Sequence, residues 1–310
     1  MKNIIKSICF VLIFIILLTV SIYFLIPRTN INKYKFQDFL DYEILEEEDD
    51  TIDILFVGDS LVYSSVSPME IWNKYGFTSF NCSTPAQLTK TSYEYIKVAI
   101  ERQHPDVIFL EANVLFRDPA KRTTDRKIKD IMSKYSLISK YHDNWKDLLE
   151  YGKKINVSKG YRYINKINKV KTISNYMKDN NKVEKIPDIN LEYFNKILEL
   201  CNSNNIKLVL FGVPSMKSWN YAKDQVINDL AQSNNLEFID LNLEESLKID
   251  WTKETKDQGS HLNYDGALKV SLYLGNYIKE NDLAKSHKDD SKYNDWVIAY
   301  DKYLEELKFY

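Results

Sequence analysis

Thr51-Ile52-Asp53-Ile54-Leu55-Phe56-Val57-Gly58-Asp59-Ser60 is the stretch from which the rest of the chain can be read. Ile52, Ile54, Leu55, Phe56 and Val57 make a β-branched and aromatic run of buried-strand length. It stops at Gly58-Asp59-Ser60-Leu61, which places a hydroxyl at the carboxyl end of a strand. In open α/β sheets that end is where ligands bind. Gly58 can adopt backbone angles closed to other residues and lets a ligand come close. Two readings of Ser60 stand together here. It is a nucleophile, or it shares with Asp59 the ordinary task of capping the next helix.

Outward from this strand the chain alternates. Residues 68–75 read as a short helix closed by Gly76, and 77–82 as a second strand. Residues 89–103 carry helical periodicity through Tyr93, Ile96, Ala99 and Ile100. His104-Pro105 ends that helix, and 107–110 make a third strand. His104 reads as part of the turn. Residues 191–204 form an amphipathic helix, 206–213 a fourth strand, 221–234 a helix, 236–241 a fifth strand and 265–280 a final helix. Short apolar strands separated by helices imply a mainly parallel sheet covered on both faces. Residues 116–190 break the rhythm, being too long for a plain crossover. They are expected to form a helical insertion, with helices near 128–141 and 145–154, and His142 and Trp145 either line a groove or pack the insertion on itself. The tail, residues 282–310, has Tyr293, Trp296, Tyr300, Tyr303 and Leu304 at helical spacing, which suits a helix folded back on the domain.

Among 310 residues, 42 Lys and Arg stand against 44 Asp and Glu, a net charge of −2. That near-balance gives no electrostatic case for nucleic-acid binding. Cys9, Cys82 and Cys201 show neither metal-ligand spacing nor a disulfide framework, so no metal or cofactor is expected. Residues 7–26 are almost continuously apolar, enough to cross a bilayer as a helix, and Lys2 and Lys6 before them favour a cytoplasmic amino terminus. The Phe24-Leu25-Ile26-Pro27-Arg28 exit lacks the small residues of a signal-peptide cleavage site. Residues 1–27 therefore read as an uncleaved membrane anchor with the remainder outside the cytoplasm. Residues 28–50 read as a spacer ending in the acidic run Glu46-Glu47-Glu48-Asp49-Asp50, taken as solvated. Residues 51–281 are the main domain.

The second half of the chemistry is Asp257-Gln258-Gly259-Ser260-His261-Leu262-Asn263-Tyr264, between the fifth strand and the last helix. His261 is thereby expected at the same end of the sheet as Ser60. A serine hydroxyl needs a neighbouring base, and histidine can take its proton and return it to a leaving group. Asp257 is the nearest acid to orient the imidazole.

Gly58-Asp59-Ser60-Leu61 resembles the first block of the SGNH (GDSL) hydrolase superfamily, and residues 257–261 resemble its last. That resemblance implies a flavodoxin-like three-layer αβα fold and acyl transfer by a Ser-His-Asp triad, here Ser60, His261 and Asp257. The anchor, the insertion, Ser67-Pro68 through Trp72 and His261-Leu262-Asn263-Tyr264 resemble the membrane-anchored branch of DltD-like teichoic-acid D-alanylation and alginate-acetylation proteins. The resemblance to that branch implies an extracytoplasmic O-acyltransferase, O-acetyl transfer being the expected form. It also implies a membrane-bound O-acyltransferase partner and a polysaccharide or teichoic-acid-like acceptor. A carbohydrate esterase or deacetylase, and a non-catalytic anchored scaffold, are the alternatives. Departures are visible. Three residues rather than two separate Asp257 from His261, so a differently placed acid stays open. Ser83 stands where the second block has glycine, and Glu111-Ala112-Asn113 replaces the third block's Gly-x-Asn-Asp. The backbone N–H of Ser60, a donor near residues 81–83 and Asn113 are the expected oxyanion-binding groups.

Overall fold

The computed structural model describes residues 2–25, 42–121, 157–172, 176–179 and 182–308. The expected helices 128–141 and 145–154, with His142 and Trp145, lie outside the described residues. The chain divides into two compact units, Met1–Phe39 with Lys121–Lys154, and Leu40–Ala120 with Ile155–Tyr310.

In the first unit, α1 runs Lys2–Leu25. At 1.5 Å per residue its 24 residues reach about 36 Å, enough for a ~30 Å hydrocarbon core. Its apolar window Ile4–Ser21 is unburied. The hydroxyls of Thr19 and Ser21 donate to Ile15 O and Leu17 O, both at 2.8 Å, so each hydroxyl proton is met within the helix.

The second unit is built on five parallel strands, β1 (Ile54–Gly58), β2 (Ser79–Ser83), β3 (Val107–Glu111), β4 (Lys207–Gly212) and β5 (Glu237–Asp240), in the order β2-β1-β3-β4-β5. This is the flavodoxin-like doubly wound order. Its helices are α2 (Ser60–Ser65), α3 (Pro68–Tyr75), α4 (Thr89–Gln103), α5 (Asp188–Ser203), α6 (Tyr221–Ser233), α7 (Tyr264–Glu280) and α8 (Asn294–Leu307). The crossover from β1 leads one way to β2, and every later crossover leads the other way. Right-handed connections then put α2 and α3 on one face and α4, α5 and α6 on the other. α7 joins α2 and α3, and α4 packs on α5. The reversal between β1 and β3 creates the crevice at their carboxyl ends.

Both faces of the sheet are buried, as the unbroken apolar runs require. Register sets Phe56 beside Phe109, and Phe211, two residues beyond Phe109's partner Val209 on β4, reaches the Phe109 ring diagonally. Their rings meet at 5.1 and 6.1 Å, and Tyr277 of α7 closes edge-on over Phe109. Each such buried ring contributes about 1.5–3 kcal/mol. Gly76 closes α3 at φ 75°, its N–H donating to Trp72 O. The tail folds back as α8, burying Trp296 against Trp72 and placing Tyr303 Oη 3.2 Å from Ser67 Oγ. Cys82 and Cys201 are buried and neither forms a disulfide.

Two expectations need correction. Residues 157–172, assigned to a helical insertion, contain no helix. They form an extended strap over the carboxyl end of the sheet, for a local reason: its backbone is held by partners elsewhere in the chain. Lys159 O accepts from Asn81 N on edge strand β2 (3.0 Å), and Arg162 N donates to Tyr63 O (2.8 Å). Ile164 O then accepts from Tyr264 N (3.0 Å), and Asn168 N donates to Thr255 O (2.9 Å). The acidic run is also not simply solvated. Glu47 pairs with the buried Lys159 at 2.6 Å, Asp49 with Arg102, and Asp50 with His104 at 2.7 Å. Asp50–His104 is an exposed pair, which fits a turn role for His104.

Candidate active site

Asp59 and Ser60 divide the two tasks that the sequence left in competition. Asp59 is the N-cap of α2, its Oδ1 accepting from Leu61 N at 2.8 Å. Ser60 is the first helical residue, so its Oγ is released from capping and lies 2.8 Å from His261 Nε2. As the first residue of a helix Ser60 has no intrahelical acceptor for its N–H, and none is supplied among the described residues.

On the far side of the ring, His261 Nδ1 stands 2.5 Å from Asp257 Oδ2, while Asp257 Oδ1 accepts from His261 N at 2.7 Å. One carboxylate thus grips both the ring and the backbone of the same residue. The extra residue of the Asp257–His261 spacing is absorbed by a tight loop, with Gln258 at φ 62° and Gly259 at φ 86°. Thr255 Oγ1 ties the loop internally, accepting from Gly259 N and donating to His261 O. A carboxylate only accepts, so Nδ1 carries the proton and Nε2 is left to accept from the Ser60 hydroxyl. Burial raises the Asp257 carboxyl, but its bonds to the His261 ring and backbone outweigh that and hold it below the usual carboxylate range.

Beneath Ser60 lies a buried charged layer that sequence reasoning missed. The fully buried Asp59 carboxylate receives the Arg117 guanidinium, with Nε 2.6 Å from Oδ2. Glu111, at the end of β3, is wholly buried, and its Oε1 accepts from Asn113 N at 2.9 Å. Burial first, and the charge of Asp59 second, push the Glu111 carboxyl well above its ordinary range. Gly58 faces this layer. An added Cβ would lie 2.4 Å from Val62 Cγ2 and 2.7 Å from Glu111 Cβ. Gly58 is therefore required for close packing, and not for the special backbone angles first expected of it, since its φ is not positive. The signal for Arg117 was available as a lone cation closing the apolar Val114-Leu115-Phe116 just beyond a strand end.

The expected oxyanion groups separate. Asn81 has its backbone N–H committed to Lys159 O and one Nδ2 hydrogen to Val66 O (2.7 Å), so both groups are turned to structural partners. Ser83, in register with Gly58, keeps a buried Oγ with no hydrogen-bond partner among the described residues. Asn113 Oδ1 accepts from Lys223 Nζ at 2.8 Å. Because an ammonium only donates, this contact fixes the amide orientation and leaves Nδ2 to point elsewhere. Lys223 is held by Ser218 O (2.7 Å) and the Phe116 ring, and burial lowers its pKa.

A further network supports the His261 loop. Ser215 Oγ donates to Ser260 O (2.8 Å), and Asn242 Oδ1 accepts from Ser215 N (3.0 Å). Asn242 Nδ2 in turn donates to Asp240 Oδ1 (2.6 Å). The Asp240 carboxyl, raised to about 7 chiefly by burial, also accepts from Trp219 Nε1. Lys256 Nζ reaches Ser64 Oγ (2.8 Å) and Lys217 Nζ reaches Asp257 O (3.0 Å). Among the described residues no group of three or more His, Cys, Asp or Glu is placed to hold a metal ion.

No family model and no curated protein matches the chain. Solved structures align with it at low identity. A Bacteroides fragilis protein provisionally described as an acylhydrolase shares 14% identity over 78% of this chain and 95% of its own, with a TM-score of 0.42. A GDSL-like lipase from Bacteroides thetaiotaomicron shares 12% over 77% and 95%, at 0.40. The esterase EstA from Pseudoalteromonas sp. shares 10% over 73% and 96%, at 0.41.

Proposed function

We propose that this chain is a serine acyl-transfer enzyme of the SGNH hydrolase type, with Ser60 as nucleophile, His261 as base and Asp257 as the orienting acid. The observation that carries the reading is the continuous chain from Ser60 Oγ through both His261 nitrogens to Asp257. In the reaction, His261 Nε2 takes the Ser60 proton as Oγ attacks an acyl carbonyl. Asp257 steadies the imidazolium that results. The tetrahedral oxyanion is met by the Ser60 N–H, with Asn113 Nδ2 and Ser83 as the remaining donors. Losing one such donor costs on the order of 3 kcal/mol in transition-state stabilisation. Protonated His261 then gives its proton to the leaving oxygen, the acyl group stays on Ser60, and a second hydroxyl reverses the sequence.

The finer reading is an extracytoplasmic O-acyltransferase, with O-acetyl as the group and a cell-surface polysaccharide as acceptor, working beside a membrane-bound O-acyltransferase. Its support is the sequence resemblance together with α1, which is long and apolar enough to serve as a single-pass anchor. Water as second acceptor gives the esterase reading. The two separate in one assay with full-length protein in neutral detergent, p-nitrophenyl acetate as donor and an oligosaccharide as acceptor. Acylated oligosaccharide is expected, and Ser60→Ala and His261→Ala are expected to abolish its formation. Full turnover by those variants rejects the triad, and water as sole acceptor at saturating oligosaccharide rejects transfer.

A further inference from the structure

We infer that Asp240 is a positioning residue for His261, that it shares a single proton with Asp224, and that losing this proton loosens the loop carrying the base. The catalytic consequence rests on the preceding reading, whereas the shared proton and the response of the loop can be measured without turnover.

The path from Asp240 to the base is continuous. Asp240 ends β5, and its Oδ1 accepts from both Asn242 N (2.9 Å) and Asn242 Nδ2 (2.6 Å). These bonds set which way the Asn242 amide faces. Its Oδ1 is thereby turned to Ser215 N (3.0 Å) and to the Tyr176 hydroxyl. Ser215 Oγ donates to Ser260 O (2.8 Å), the carbonyl of the residue before His261. A displacement of Asp240 therefore reaches the base through Asn242, Ser215 and Ser260 in turn.

Behind Asp240 stands Asp224, in the first turn of α6, with its carboxyl within hydrogen-bonding reach of the Asp240 carboxyl. Both are buried, and no Lys, Arg or His pairs with either among the described residues. Two like charges held together away from water destabilise each other, so one proton is retained between them. The donors around the pair show where the charge rests. Asp240 accepts three N–H bonds, two from Asn242 and one from Trp219 Nε1 at 2.8 Å. Asp224 Oδ2 accepts one from a side chain, Gln225 Nε2 at 2.8 Å. Asp240 is thus the better-solvated carboxylate, and Asp224 the side that supplies the proton.

No other group facing the pair takes over this role. The Tyr176 phenol is raised by burial first and by the charge of Asp240 second, away from neutrality. Lys223, next to Asp224 in sequence, turns to Asn113 and Ser218 O. β4 presents Gly212, whose missing Cβ leaves the room that Asp240 Oδ1 occupies, since a Cβ there would lie 2.8 Å away. Burial, with Asp224 adding to it, raises the Asp240 carboxyl to about 7 against its bonds to Asn242 and Trp219. The pair therefore gives up its shared proton to solvent near neutrality.

The test uses full-length protein in neutral-detergent micelles, with p-nitrophenyl acetate turnover corrected by a Ser60→Ala blank. Asp224→Asn keeps a donor toward Asp240 and removes the ionisation. The ratio of kcat at about pH 8.5 to kcat at about pH 6.5 is expected to be about fivefold lower in the native protein than in Asp224→Asn, the factor of one neutral hydrogen bond. Asp240→Asn sets an amide nitrogen against the N–H groups of Asn242 or Trp219, and is expected to lower kcat at every pH with little change in KM. Two further measurements need no turnover and are made in Ser60→Ala as well as in the native protein. The fluorine resonance of 5-fluorotryptophan at Trp219, assigned through Trp219→Phe, is expected to titrate at about 7 and to stop titrating in Asp224→Asn. Amide exchange across residues 255–262, divided by the intrinsic rate at each pH, is expected to lose protection over the same interval and to keep it in Asp224→Asn. A Trp219 resonance that does not titrate overturns the shared proton. A titrating resonance with unchanged loop protection, or with the same kcat ratio in the native protein and Asp224→Asn, overturns the positioning role. No turnover by the native protein, with resonance and protection both changing as stated, rejects the acyl-transfer reading and upholds the shared proton.

Discussion

The two halves of the candidate site are held by opposite means. Ser60 stands on a buried, charged foundation in which Asp59 caps the helix while Arg117 neutralises Asp59 and Glu111 lies against Gly58. His261 rides on a partly exposed loop held by uncharged hydrogen bonds from Thr255, Ser215 and the strap. The half under Ser60 joins residues 58–60 to Glu111 and Arg117 and is stiff through desolvated electrostatics. The base's half is assembled from distant segments and stiff through many small contacts. Damage to the first is expected to appear as lost stability, and damage to the second as lost activity.

The largest expected effect removes the chemistry and leaves both supports intact. Ser60→Ala or His261→Ala should lower acyl turnover by about 10⁴-fold or more while thermal midpoints stay near native. Next, Arg117→Ala should strand the buried Asp59 carboxylate and cost about 3–5 kcal/mol in denaturant unfolding. A loss below ~1 kcal/mol would mean that the foundation is not electrostatic. Lys223→Met should free the Asn113 amide to turn, lowering kcat about tenfold or more with little change in KM if Asn113 is an oxyanion donor. Ser215→Ala breaks one neutral bond to the His261 loop, worth about 1 kcal/mol. A few-fold fall in kcat without a matching stability loss would sharpen the contrast.

The smallest effect is a pH signature that should differ between the halves. Glu111 has a folded pKa above its unfolded value, so the stability linked to it is fully present below the unfolded value. That stability is lost as pH rises through the folded pKa. Asp257 runs the other way. Its contribution is present above the ordinary carboxylate range and is lost as pH falls through its lowered folded pKa. Urea unfolding across pH should show Glu111→Gln flattening the fall that sets in above the ordinary carboxylate range and Asp257→Asn flattening the fall below it. The reverse assignment would reject this electrostatic description.

What could be read in the sequence follows the same divide. The helix expected at 89–103 coincides with α4, and the strands fall within about two residues of their expected ends, because periodicity and turn residues act locally. Asp59, Ser60, Asp257 and His261 were legible because each lies in a short motif at a strand or helix end. The Asp59–Arg117 pair spans 58 positions and Ser215–Ser260 spans 45. Neither has a local pattern to betray it. The strap was misread for a related reason. Its Lys- and Asn-rich sequence says nothing about shape, and its extended form comes from hydrogen bonds supplied by Asn81, Tyr63, Tyr264 and Thr255.

Because the strap is gripped by its backbone and by the buried Lys159 and Tyr161, its exposed residues can be exchanged without disturbing the line it follows. Gly160 is an exception, since any Cβ there would lie 2.5 Å from Asn81 O. The exposed positions behave as interchangeable type set in a fixed rail beside the Ser60–His261 pair. Under the proposed acyl transfer, preference for one acceptor over another can then drift by surface substitution alone, with Ser60 and His261 left untouched.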